Sequence, residues 1–66
     1  MNKDILKLLN EQVNHELFSY YQYLAMSAYF EEQSLKGFAS FFLKQSQEEQ
    51  EHGMKIFHFI FNPFFN

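Results

Sequence analysis

Glu49 and His52 stand three residues apart in the run Gln47-Glu48-Glu49-Gln50-Glu51-His52-Gly53. On a helix that spacing projects both side chains from one side at neighbouring levels. A carboxylate and an imidazole so placed can hold a metal cation. Glu-x-x-His is also the spacing that helix bundles use for di-metal carboxylate sites, where a facing helix adds a further Glu. Glu16 is the candidate for that further ligand, because it lies on a stripe with Leu9, Val13, Tyr20 and Tyr23. A carboxylate among apolar neighbours is costly unless something compensates it, and a bound cation supplies the missing charge.

Plainer readings compete at each position. Glu48 to His52 is a charge run, and most charge runs are solvated helix faces. Glu16 alone reads equally as an edge residue reaching water. What favours a shared site is depth. Taking the turn at Leu35, Glu16 lies 19 residues before it, and Glu49 and His52 lie 14 and 17 after it. At 1.5 Å per residue these are about 28, 21 and 26 Å from the turn. An antiparallel hairpin therefore brings the three to within one or two helical turns of a common level. His15 points about 100° away from Glu16, which suits a surface role, and His58 reads as an edge residue. Tyr20 and Tyr23 read as packing residues whose hydroxyls meet a carboxylate. Tyr23, one heptad from Glu16, is also placed to hydrogen-bond a ligand carboxylate or to give up an electron. No Ser-His-Asp arrangement, Gly-rich loop or phosphate cradle is present.

The elements that must position these residues are two helices. Only two Gly and one Pro punctuate 66 residues. No breaker lies between Asn2 and Gln33, and Gly53 alone interrupts the stretch from Phe38 to Phe61, at a cost of roughly 1 kcal/mol relative to Ala. The expected order is a helix over about 3–33, a turn over about 34–37 containing Gly37, a helix over about 38–61 and a tail over 62–66. Leu6, Leu9, Val13, Glu16, Tyr20, Tyr23, Ser27 and Phe30 form one inward stripe in steps of three and four. Phe38, Phe42, Gln45, Glu49, His52, Ile56 and Phe59 form the other. Leu17, Leu24 and Ala28 widen the first stripe and Phe41 the second, while Lys3, Lys7, Glu11, Glu31, Lys44 and Glu51 take the opposite faces. The fold class is all-α, a two-helix antiparallel hairpin, with one apolar face left for a second hairpin to cover.

Composition narrows function and points the same way. The chain is 47% hydrophobic and 21% aromatic, with ten Phe. A domain of this size buries only about 60% of its unfolded surface, so this apolar content exceeds what one chain can hide. Cysteine is absent, which removes disulfides and thiolate metal sites as braces. All five basic residues are Lys against eight acids, a formal net charge of -3, so a nucleic-acid partner is not expected. No apolar run approaches the roughly 20 residues of a membrane span, and no secretory leader is visible, so the expected compartment is the cytosol.

The segment Ile5-Leu6-Lys7-Leu8-Leu9-Asn10-Glu11-Gln12-Val13-Asn14, with Glu16 and Tyr23-Leu24-Ala25-Met26-Ser27, resembles the first helix of bacterial-type non-haem ferritins. Ser34-Leu35-Lys36-Gly37-Phe38 resembles their first turn, and Gln47 to Lys55 resembles the ferroxidase segment of their second helix. The likeness runs from about residue 3 to residue 60. It implies half of a ferritin-like four-helix bundle, iron storage, and ferroxidase chemistry in which a di-iron site oxidises Fe(II) with O2 or peroxide. By resemblance Glu16 is the first-helix iron ligand, Glu49 the bridging carboxylate and His52 the imidazole ligand. Tyr23 is the tyrosine beside the site, and Glu48 a ligand of an accessory third iron. Members of that family continue into a second helix pair that adds another Glu and a Gln or Glu. The segment from Asn62 to Asn66 does not resemble their continuation.

Two expectations follow. The first is an iron-binding, ferroxidase-type chain whose bundle is completed by self-association, as a homodimer or larger, or by full-length ferritin subunits. The second is a truncated, non-catalytic fragment acting as a helical association module. Peripheral membrane binding by Phe57 to Phe65 is a weaker third reading, because that segment lacks a basic face.

Overall fold

The computed structural model describes residues 2–62; the tail residues 63–66 lie outside the described residues. Two helices occupy almost all of that span, α1 over Lys3–Glu32 and α2 over Lys36–Ile60. The ends of α1 are specified locally. Asn2 is extended at the N-cap, and its Oδ1 accepts hydrogen bonds from the backbone N–H of Asp4 at 2.7 Å and of Ile5 at 3.4 Å. These satisfy donors that the first turn leaves open, and Asp4 adds negative charge where the helix dipole is positive.

The reversal is built on Ser34, the one non-glycine residue with positive φ among the described residues, at 60°. With Ser34 left-handed, the Leu35 N–H reaches the Phe30 carbonyl at 2.9 Å and the Ser34 N–H reaches Glu31 at 3.1 Å. This pair of bonds is a Schellman cap, which closes the last carbonyls of α1. The Lys36 ammonium pairs with the Glu31 carboxylate across the turn. Both side chains are exposed, so the pair contributes at most about 1 kcal/mol. Gly37, expected in the turn, lies instead in the first turn of α2, which begins two residues before the expected start at Phe38. The chain turns early because a left-handed Ser34 completes the cap without glycine.

The helices meet along a narrow seam. On α1 the whole expected stripe, from Leu6 to Phe30, is buried or half-buried, and so is Leu17. On α2 the buried row is Ala39, Ser46, Gly53 and Ile60, repeating every seven residues. That is one position beyond part of the stripe read from the sequence. Phe42, Gln45, Glu49 and Ile56 turn partly inward, but Phe38, His52 and Phe59 are exposed, as are Leu24, Ala28 and Phe41. The physical reason is close approach. Small residues let α2 lie near α1, and the Ser27 hydroxyl donates to the Ala39 carbonyl across the seam at 2.7 Å. Many of the bulky residues stand to either side of that line, exposed.

Towards the turn the seam becomes aromatic. Tyr23 stacks on Phe42, Phe42 on Phe30, and Phe30 packs against Phe38, with ring centroids 6.0, 5.5 and 5.3 Å apart. Beside them, Leu35, Phe38, Phe41 and Phe42 line an apolar hollow of about 690 Å³. Among the described residues the buried apolar core proper is only Ala39 and Ile60, whereas 15 large hydrophobic residues are exposed. The hairpin is correspondingly elongated, 48 × 18 × 10 Å, with a radius of gyration of 15.1 Å. A compact chain of this length has a radius near 11 Å. Among the described residues no helix is long and apolar enough to cross a membrane.

Local backbone chemistry makes a first prediction. Ser34→Gly relieves the left-handed strain, and Gly37→Ala adds a Cβ that meets nothing within 4 Å. Each is expected to stabilise the hairpin by about 0.5–1 kcal/mol. Urea unfolding followed by circular dichroism, at one fixed chain concentration, checks both.

Candidate metal centre

Glu16, at the middle of α1, and Glu49 and His52, at the middle of α2, converge on one flank of the seam. Each offers a ligand atom, and the three atoms all lie within 4.8 Å of one another. The Glu16 Oε2 is 3.8 Å from the His52 Nδ1. Exposure is graded across the cluster: the Glu16 side chain is 13% exposed, and that of His52 is 56% exposed. A cation held here has protein on one side and an open approach on the other.

Two residues that the sequence reading passed over shape this cluster. Gln12, one turn before Glu16, donates its Nε2–H to Glu16 Oε1 at 2.7 Å, which fixes the carboxylate and leaves Oε2 turned towards His52. The i, i+4 spacing of Gln12 and Glu16 is the signal that could have found it. Gly53 lies against Glu16 itself. A Cβ built on Gly53 would sit 3.4 Å from the Glu16 Cβ and 3.7 Å from the Leu17 Cδ2. The glycine that weakens α2 as an isolated helix is thus where the two helices pass closest to the ligands.

The two carboxylates shift one another in opposite directions. Hydrogen bonding with Glu49 holds Glu16 below its ordinary value; burial opposes this, and Gln12 together with the positive potential of His52 and His15 assists it. Glu49 is pushed up by its hydrogen bond with Glu16, by burial and by the Glu16 charge, with the two histidines opposing. Of the two, Glu49 is the carboxyl that takes up a proton more readily. Opposite shifts are what two crowded carboxylates impose on each other.

The other residues singled out from the sequence lie outside this group. Glu48 is half-buried on α2, about 100° round from Glu49. Tyr23 is half-buried two turns along α1 towards the chain reversal, with its ring on Phe42. His15 and His58 are exposed, and His58 packs edge-on against Phe57. Two carboxylates and an imidazole form a donor set suited to divalent iron, manganese or zinc, and they leave coordination positions open.

Two outcomes test this geometry. In a carbon-13 carboxylate titration, Glu16→Ala is expected to move Glu49 back down towards the ordinary carboxylate range, because it removes both the hydrogen bond and the charge that raise it. Gly53→Ala is expected to be tolerated, since its Cβ makes ordinary contacts. Gly53→Leu forces the helices apart next to Glu16 and is expected to cost about 1–3 kcal/mol. Thermal unfolding of the two variants checks the contrast.

The sequence as a whole is similar to known proteins. Residues 6–62 match the ferritin-like domain family. Over 60 residues the chain is 47% identical to the bacterial non-heme ferritin of Staphylococcus aureus (strain USA300). It is likewise 47% identical to the protein of that name from Staphylococcus haemolyticus (strain JCSC1435). Each alignment covers 91% of this chain and 36% of the relative, so the chain spans about a third of the length of the curated relatives it matches. No solved structure matches significantly.

Proposed function

The chain belongs to the ferritin-like domain family, and on that premise we propose that it binds Fe(II) through Glu16, Glu49 and His52 and supports its oxidation by O2 or peroxide once a second helix pair completes the site. The observation that carries the proposal is the convergence of two carboxylates and an imidazole, within 4.8 Å, on the flank of the seam between the helices. Fe(II) is the substrate here, and its chemistry is the loss of one electron to the oxidant.

The chain's own residues supply binding and charge. Both carboxylates face the metal as anions, and a proton held on Glu49 is displaced when the cation binds. His52 contributes a neutral nitrogen from the open side. Gln12 keeps Glu16 oriented as that exchange of proton for metal takes place. Glu48, one residue before Glu49, is proposed as a ligand for an accessory iron. Tyr23, two turns from Glu16, is proposed as the aromatic residue that gives up an electron to the site.

A non-catalytic role as a helical association module is the second reading, and the 15 exposed large hydrophobic residues favour it. Anaerobic Fe(II) titration followed by O2 separates the two. The ferroxidase reading expects near-ultraviolet ferric absorbance, and expects Glu49→Ala to weaken Fe(II) binding by at least about tenfold. Absence of that absorbance, or indifference to Glu49→Ala, leaves only the association module. The pH dependence has a definite sign. Glu49 is held protonated to a higher pH than an ordinary carboxyl, so the metal must displace that proton. Fe(II) affinity is therefore expected to rise with pH across the carboxyl range and to fall on acidification.

A further inference from the structure

We propose that the second helix pair is another copy of this chain, packed antiparallel, with a two-fold axis crossing α2 at the level of Glu49. The proposal rests on the metal-centre reading and names the partner that completes it.

The first observation is a row of residues with internal symmetry. Phe38, Gln45, His52 and Phe59 repeat every seven residues on α2, directly beside the buried row Ala39, Ser46, Gly53 and Ile60. Phe38 is 58% exposed and Phe59 42% exposed. The midpoint of Phe38 and Phe59, and equally that of Gln45 and His52, falls between Glu48 and Glu49. A perpendicular two-fold axis there sets Phe38 of one copy level with Phe59 of the other, and Gln45 level with His52. Each Phe59 then arrives at the mouth of the hollow formed by Leu35, Phe38, Phe41 and Phe42. The same level is the middle of both helices, so the two 48 Å hairpins overlap along their whole length.

The second observation is area. The chain exposes 5211 Å². A compact monomer of 8.0 kDa exposes about 4,450 Å², so the excess is roughly 750 Å². Each partner in a standard interface buries about 800 Å². The surplus surface of one hairpin is what one copy needs to give up in a stable pair.

The third observation is charge. Two copies supply two Glu16, two Glu49 and two His52. That is a Glu from each of two helices and a Glu-x-x-His from each of the other two, the full set of a di-metal carboxylate bundle. Four carboxylates balance two divalent cations, and the imidazoles stay neutral.

The chain has no cysteine, so single cysteines report the pairing directly. The test uses the full 66-residue chain, sedimentation equilibrium, and a short bis-maleimide on Phe38→Cys and Phe59→Cys variants. The unsubstituted chain is expected to sediment at twice 8.0 kDa. An equimolar mixture of the two variants is expected to cross-link at least fivefold more than either alone. A monomer at micromolar concentration overturns the proposal, whatever the variants do. So does preferential cross-linking of Phe38→Cys to itself, or association only with a longer ferritin subunit. If the 38–59 cross-link forms but Fe(II) does not bind, the pairing stands and the metal reading falls. If Fe(II) binds to a monomer, the metal reading stands and the pairing falls.

Discussion

Two helices touch along one line, and most of what distinguishes this hairpin follows from that geometry. Each helix can bury one row against the other, and closeness along the line is bought with small side chains. Ala39, Ser46 and Gly53 occupy the line on α2, with Ser27 facing Ala39 from α1. Among the described residues most Phe and Tyr stand exposed on its flanks, and Tyr23, Phe30 and Phe42 enter the seam only towards the turn. The result is a fold whose regular hydrogen bonding is complete and whose apolar burial is not. Turn, cap and seam specify the hairpin, while the hydrophobic effect has little enclosed surface on which to act.

The same closeness creates the chemistry. With no side chain at Gly53, α2 passes near enough to α1 for Glu16 to meet Glu49 and His52. Two carboxylates at that range work against each other's ionisation, and Glu16 is held below and Glu49 above the ordinary carboxylate value. Gln12 fixes Glu16 from the one side that the seam leaves open, and the exposed His52 leaves the opposite side accessible. The site and the incomplete core are thus consequences of one arrangement.

Much of this was legible in the sequence. The absence of breakers specified two helices, and the steps of three and four on α1 marked its inward stripe from Leu6 to Phe30. Similar distances from the turn brought Glu16 to within one or two helical turns of Glu49 and His52. The α2 stripe was less legible. Hydrophobic periodicity selects bulky residues, and it passed over the small row that makes the contact, leaving Phe38, His52 and Phe59 on the exposed side. Gly37 carried a turn signal that the backbone did not use, because Ser34 took the left-handed position. Gln12 was unmarked, since a glutamine on an amphipathic helix reads as surface until its acceptor is known.

The sequence by itself determined which segments are helical, which residues can hold a cation, and that their depths agree. These depend on local propensity and on counting residues along a helix, both of which are one-dimensional. Only the tertiary structure decided the rotation of α2 about its own axis. That rotation set which row is buried, how exposed His52 is and which of the two carboxyls is raised. It is decided by contact distances between atoms of two helices, and at Gly53 that means the few ångströms between its backbone and Glu16.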